Sequence, residues 1–174
     1  DVVLDDIDAQ VAKAFTATLS RLSAAGVQLT EIPMKMLTEA RELYLISPYE
    51  AYRWHKDLLA RRAADYDPRV LARIQLGANA TDADRKKITE ARADWRSRVE
   101  QAISGFDALV MPTVPIVAPR TEALVTSDEA FFDANKLILR NPSIINLLDG
   151  CAISLPCHRQ GDLPVVFSLA GKSM

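Results

Sequence analysis

Apolar residues recur at helical spacing near the start of the chain. Ile7, Val11, Phe15, Leu19 and Leu22 follow a cluster of aspartates, and Gly26 comes next. The spacing predicts a first helix that stops at the glycine. Val27 and Leu29 then alternate with polar neighbours, and the run reaches Ile32 before Pro33, which predicts a short strand around residue 28. From 37 to 64 the pattern is helical again. It breaks at "SPYEAYRWH", where Ser47 is placed to cap and Pro48 to open a second helix. "YDPRVLARIQLG" repeats the device: Asp67 caps, Pro68 starts, Val70, Leu71 and Ile74 face inward, and Gly77 turns the chain. Thr81 with Asp84 resembles a capping box. Behind it Ile88, Ala91, Trp95, Val99, Ala102 and Ile103 hold one stripe as far as Gly105, which predicts the longest helix.

The pattern then changes. Residues 108–111, "ALVM", have no polar alternation, as expected of a strand covered on both faces in a parallel or mixed sheet. They run straight into a loop with Pro112, Pro115 and Pro119. "NPSIINLLDG" predicts a helix opened by Pro142 and closed by Gly150, and after "AISLPC" the run "LPVVFSLAG" predicts a second apolar strand. The fold class expected is α/β, helix-rich, with a few strands of a mixed sheet. Residues 1–174 read as a single unit, helical over 1–105, with strands and the proline loop over 106–174. A sheet this thin is short of cover. At roughly 25 cal/mol per Å² of apolar surface, an uncovered strand face forfeits several kcal/mol, comparable to the net stability of a domain. The chain therefore reads as part of something larger.

Composition narrows the function classes. The chain has 174 residues, 49% of them hydrophobic and 25% charged, the balance of an ordinary globular domain. A net charge of -2 gives no positive face for phosphate, so no nucleic-acid partner is expected. Arg61-Arg62 and Lys86-Lys87 read as solvated helix faces. No apolar run approaches the roughly 20 residues of a membrane span, and "DVVLDDID" is unlike a secretory signal, so the expected location is the cytoplasm. Cys151 and Cys157 lack zinc-site spacing and read as reduced core residues.

Nucleophilic chemistry has little to build on. The six glycines are never adjacent, and GxSxG, GxGxxG and the phosphate-binding loop are all absent. Cys157 and His158 are sequence neighbours, which rarely face each other in working geometry, and read as a strand-end pair. His55 shares a helix face with Tyr52 and Leu59 and reads as a half-buried, hydrogen-bonded imidazole. Asp5-Asp6 and Asp82-Asp84 lie at helix starts, where the open N–H groups account for them. No metal or cofactor site is expected.

Two stretches carry more information. "FDALVMPTVPIVAP" resembles the FDxLLxPTxPxxAP segment of the amidase signature family. "NLLDGCAISLPCHRQGDLPVVFSLAG" resembles that family's NxxGxPAxSxPxGxxxGLPxGxQxxG segment, in the same order and spacing. "YDPRVLARIQLGA" and, more loosely, "EAYRWHKDLL" are similar to regions upstream of the long helix. Departures stand at Asp149 and Cys151, where the family usually has Gly and Pro, and at "DLPVV", where Val165 or Val166 replaces a common glycine. Similarity to amidotransferase A subunits that act on mischarged tRNA is weaker, because the surroundings of Leu139 and Arg140 replace an acidic residue.

The resemblance implies a hydrolase that cuts a carbon–nitrogen bond of a small-molecule amide with a Ser, cis-Ser, Lys triad carried in its N-terminal half. That glycine- and serine-rich half is missing from this sequence. None of Lys13, Lys35, Lys56, Lys86, Lys87, Lys136 or Lys172 is matched to the catalytic lysine, and no catalytic residue is assigned. The expectation is a C-terminal fragment, truncated at both ends, inactive alone and able to self-associate through uncovered strands. The expected substrate wall is Pro112, Thr113, Val114 and Pro115, because prolines fix φ and lose little entropy on ordering. Arg140 is expected to grip a substrate carboxylate and Asn146 to orient the proline loop. Arg73 is a weaker candidate that reads more often as a surface salt-bridge arginine. The competing readings are a stand-alone helical interaction module and an amidotransferase A-subunit-like fragment.

Overall fold

The computed structural model describes residues 2–171. They gather into two compact units, one built from the chain up to Thr38 and from Arg98 onward, the other from Glu39–Ser97.

The first unit opens with helix α1 (Ala9–Ala24), whose Asp8 carboxylate accepts the Gln10 N–H at 2.7 Å. Its stop follows the expected device. Gly26 has φ 93, its N–H donates to the Ser23 carbonyl, and the Val27 N–H donates to the Leu22 carbonyl. The predicted strand around residue 28 does not form, and Val27 and Leu29 are exposed. Alternation over a few residues yields a strand only where a neighbour takes its backbone groups, and no strand pairs with this run among the described residues.

The sheet is built from β1 (Leu109–Pro112), β2 (Cys151–Pro156) and β3 (Val166–Gly171) in the order β1-β3-β2. Both pairings are antiparallel, with Leu109 opposite Ala170 and Ser154 opposite Ser168. The sequence placed β1 and β3 but missed β2, whose exposed residues look nothing like the buried strand expected beside "ALVM". The core of this unit joins Val11 and Phe15 of α1 to Cys157, Val165 and Phe167, with Val110, Leu155 and Leu169 against them.

Between β1 and β2 lie α6 (Thr121–Thr126) and α7 (Asp128–Leu147). The helix expected to open at Pro142 instead opens at Ser127, whose hydroxyl accepts the Ala130 N–H at 3.2 Å, and Pro142 sits inside it. Proline has no N–H, so the Ile138 carbonyl lacks its i+4 donor, yet the helix continues. At its end the Asp149 N–H bonds to the Asn146 carbonyl and the Gly150 N–H to the Ile145 carbonyl, the same pattern as at Gly26. Here Asp149, at φ 52, holds the left-handed position that glycine usually fills.

The second unit contains α2 (Ala40–Leu43) and α3 (Ile46–Arg62), then α4 (Pro68–Gln75) and most of α5 (Asp82–Ala102). Helix α3 starts one residue before Ser47, and no side chain caps it; Pro48 falls within its first turn, where a missing N–H costs little. The cap of α4 is as expected, with the Asp67 carboxylate accepting the Arg69 and Val70 N–H groups at 2.9 and 3.2 Å. Val70, expected to face inward, is exposed, while Ile74 is buried. Gly77 is set by a close approach: a Cβ there would lie 2.0 Å from the Pro48 carbonyl oxygen. The Thr81–Asp84 capping box closes in both directions, at 2.8 and 3.2 Å. On the α5 stripe Trp95 and Val99 are fully buried, whereas Ala91 is exposed.

Gly77→Ala should destabilise the chain by about 1–3 kcal/mol, since the colliding atom is backbone; urea unfolding measures it. Thr81 holds the Asp84 carboxyl below its ordinary pKa through hydrogen bonds from its side chain and its N–H. A depressed carboxylate contributes stability that is present above the unfolded value of about 4 and is lost as pH falls through the folded one. Asp84→Asn should therefore flatten the acid limb of a plot of Tm against pH.

Candidate functional site

The proline loop is held by its carbonyls, because its prolines have no N–H to give. The Asn141 Nδ2 donates to the Pro112 carbonyl at 2.8 Å, and the Asp8 N–H donates to that of Pro115 at 2.8 Å. The Thr113 N–H donates to the Val166 carbonyl at 3.1 Å. Pro112 and Pro115 are fully buried, and Thr113 and Val114 are half-buried. Rigid φ angles and anchored carbonyls make this stretch a stiff wall.

The two-residue period of the strands decides what stands beside it. Val110, Leu155, Phe167 and Leu169 face α1, so Met111, Ala152, Ser154 and Ser168 take the opposite face. There, with Thr113, they border a cavity of about 240 Å³ completed by Gly150 and by Asn141, Pro142, Ile145 and Asn146 of α7. Three hydroxyls meet in it. Thr113 Oγ1 lies 2.7 Å from Ser168 Oγ, Ser168 Oγ lies 3.2 Å from Ser154 Oγ, and Thr113 Oγ1 lies 3.4 Å from Ser154 Oγ. No side chain in this lining carries a charge or can act as a base toward a hydroxyl. The arrangement suits hydrogen bonding to a neutral polar group.

Of the residues singled out from sequence, Thr113 and Asn146 line the cavity. Pro112, Val114 and Pro115 belong to the anchored loop. Asn141, one helical turn and one residue before Asn146, bonds to that loop. Arg140 donates from Nε to Asn141 Oδ1 at 3.1 Å, and its buried Nη2 has no hydrogen-bond partner. Burial lowers its pKa below the ordinary arginine value, with Asp5 and Asp6 acting in the opposite direction. Arg73 lies in the other unit, with its Nη2 3.5 Å from the Tyr44 hydroxyl. Asn141, Ser154 and Ser168 were missed. The serines share the parity of the cavity face, but that signal has meaning only once β2 is known to be a strand.

The two histidines bond within the chain. His55 Nδ1 is 2.8 Å from the Tyr66 hydroxyl. His158 Nδ1 lies 3.2 Å from the Val165 carbonyl oxygen and 3.3 Å from the Val165 nitrogen, and the Cys157 N–H donates to the Val165 carbonyl at 2.9 Å, so this pair fastens a strand end. Cys157 is buried as expected, but Cys151, the first residue of β2, is exposed. Lys172 lies outside the described residues. Among the described residues no three His, Cys, Asp or Glu side chains gather to hold a metal ion, and no helix is long and apolar enough to cross a membrane.

The family model described as Amidase matches residues 1–174. The chain belongs to the amidase family. Among curated amidase-family relatives, a 2-amino-5-chloromuconic acid deaminase of Comamonas testosteroni is 27% identical over 174 residues, covering 96% of this chain and 37% of its own. The A subunit of a glutamyl-tRNA(Gln) amidotransferase from Desulforamulus reducens is 26% identical over 200 residues, covering 99% and 40%. A crystal structure of an amidase superposes with a TM-score of 0.79 at 26% identity, over 96% of this chain and 39% of that one. The chain thus spans less than half the length of the relatives it matches, and its mixed α/β fold is that of amidases.

Thiol titration checks the site's edge. Under native conditions Cys151 should react quickly, and Cys157 only on unfolding.

Proposed function

We propose that this chain forms the C-terminal part of an amidase-type hydrolase that cleaves a carbon–nitrogen bond of a small-molecule amide. In this reading it supplies the wall of the substrate pocket, while a serine, cis-serine and lysine triad comes from a further segment of the polypeptide. The observation that carries the reading is the family match over the whole chain, on a fold whose cavity is lined by hydrogen-bonding groups and lacks a nucleophile–base pair.

Each part of the wall has a physical role. Hydroxyl rotors on Thr113, Ser154 and Ser168 can each turn to donate or accept, which suits an amide that presents both a carbonyl and an N–H. The loop Pro112–Thr113–Val114–Pro115 is ordered before substrate arrives, so little binding energy is spent arranging it. Arg140 Nη2 is a buried donor without a partner and lies outside the cavity lining, so a substrate carboxylate would meet it only if the guanidinium turned out of its buried position. The amidotransferase relative supports a second reading, in which the amide nitrogen passes to an acceptor other than water.

Assayed alone, the 174-residue chain should hydrolyse no amide above background, and turnover that persists through repeated purification would refute the division of labour. In the complete enzyme Thr113→Ala should lower kcat/KM by about tenfold, the effect of one lost hydrogen bond of ~1.4 kcal/mol. An unchanged kcat/KM for every amide tried would leave the loop a packing element only. Measuring free ammonia against transferred nitrogen separates the two readings.

A further inference from the structure

Helix α7 carries a proline in its interior, and a proline there usually breaks or bends the helix. Asn141 immediately precedes it, is 1% exposed, and reaches away from its own helix in two directions. One Nδ2 hydrogen goes to the Pro112 carbonyl at 2.8 Å and the other to the Val3 carbonyl at 3.1 Å. Its Oδ1 accepts from Arg140 Nε at 3.1 Å. Two carbonyls on one side and a guanidinium on the other leave only one way for the amide to point. A carboxylate at the same place would set an acceptor against two carbonyls, and an apolar side chain would leave both without this donor.

We infer that Asn141 is a positioning residue: it fastens the proline loop and the chain at Val3 to α7, and Arg140 fixes the direction of its amide. The Pro112 carbonyl is the last of β1, and the next residue, Thr113, bears the hydroxyl that meets Ser168 over the cavity. Asn141 thus sets where that hydroxyl stands. It also ties α7 down beside Pro142, where the helix has lost one of its own bonds. That the wall so positioned meets an amide rests on the function proposed above; the fastening itself does not.

Hydrogen–deuterium exchange on the full 174-residue chain tests the fastening without any substrate. Asn141→Asp and Asn141→Ala should each speed exchange of the amides between Pro112 and Pro119 by about tenfold or more, with residues 166–171 as protected as in the parent chain. Arg140→Leu should have a smaller effect in the same place. Unchanged exchange in the loop would overturn the inference, and so would an equal rise in the loop and in β3, which would mean general loosening. In the complete enzyme, Asn141→Ala should raise KM with kcat largely kept, and a fall in kcat at constant KM would overturn the positioning role. If the complete parent enzyme turns over no amide at all, the proposed function fails, and the exchange result still decides the role of Asn141.

Discussion

Strand β3 is bonded on both edges, and its two faces have opposite characters. Phe167 and Leu169 point toward α1 and the apolar core, while Ser168 points toward the cavity. A strand cannot separate these roles without also fixing register, because a shift of one residue would bring the serine to the core and the phenylalanine to the cavity. The antiparallel pairing of Ser154 with Ser168 carries the constraint to β2, and the turn into the proline loop carries it to Thr113. The three hydroxyls meet because one register places them together.

The proline loop solves a related problem. Of this segment only the Thr113 N–H reaches the sheet, so the Pro112 and Pro115 carbonyls take donors from outside it. Asp8 and Asn141 supply them, one from the backbone at the start of α1 and one from a side chain of α7. The wall is therefore anchored by elements about a hundred residues before it and some thirty residues after it in sequence. The cost falls on α7, which accommodates Pro142 and ends on a non-glycine residue in the left-handed region. Both departures lie within a few residues of the cavity.

Much of this was legible in the chain itself wherever local chemistry decides. The caps at Asp67 and at Thr81–Asp84 and the stop at Gly26 depend on neighbours a few residues away, and the structure shows each as the pattern implies. Strand β1 and the helix α5 stripe were set by runs of apolar residues. The family motifs, with their fixed prolines, pointed to the amidase family, to which the chain belongs.

Local pattern along the chain settles which residues are apolar, where turns are cheap, and that a stiff proline segment follows a buried strand. Long-range packing settles that the alternation near residue 28 stays unpaired, that "CAISLP" pairs instead, and that Pro142 lies inside a helix. Each depends on a distant partner: a strand needs a neighbour for its backbone, and a helix carrying a proline needs anchorage elsewhere. The choice of Asn141 as the residue that fastens the loop is of the same kind. Its partners, Val3 and Pro112, lie 138 and 29 residues away along the chain, beyond the reach of any local pattern.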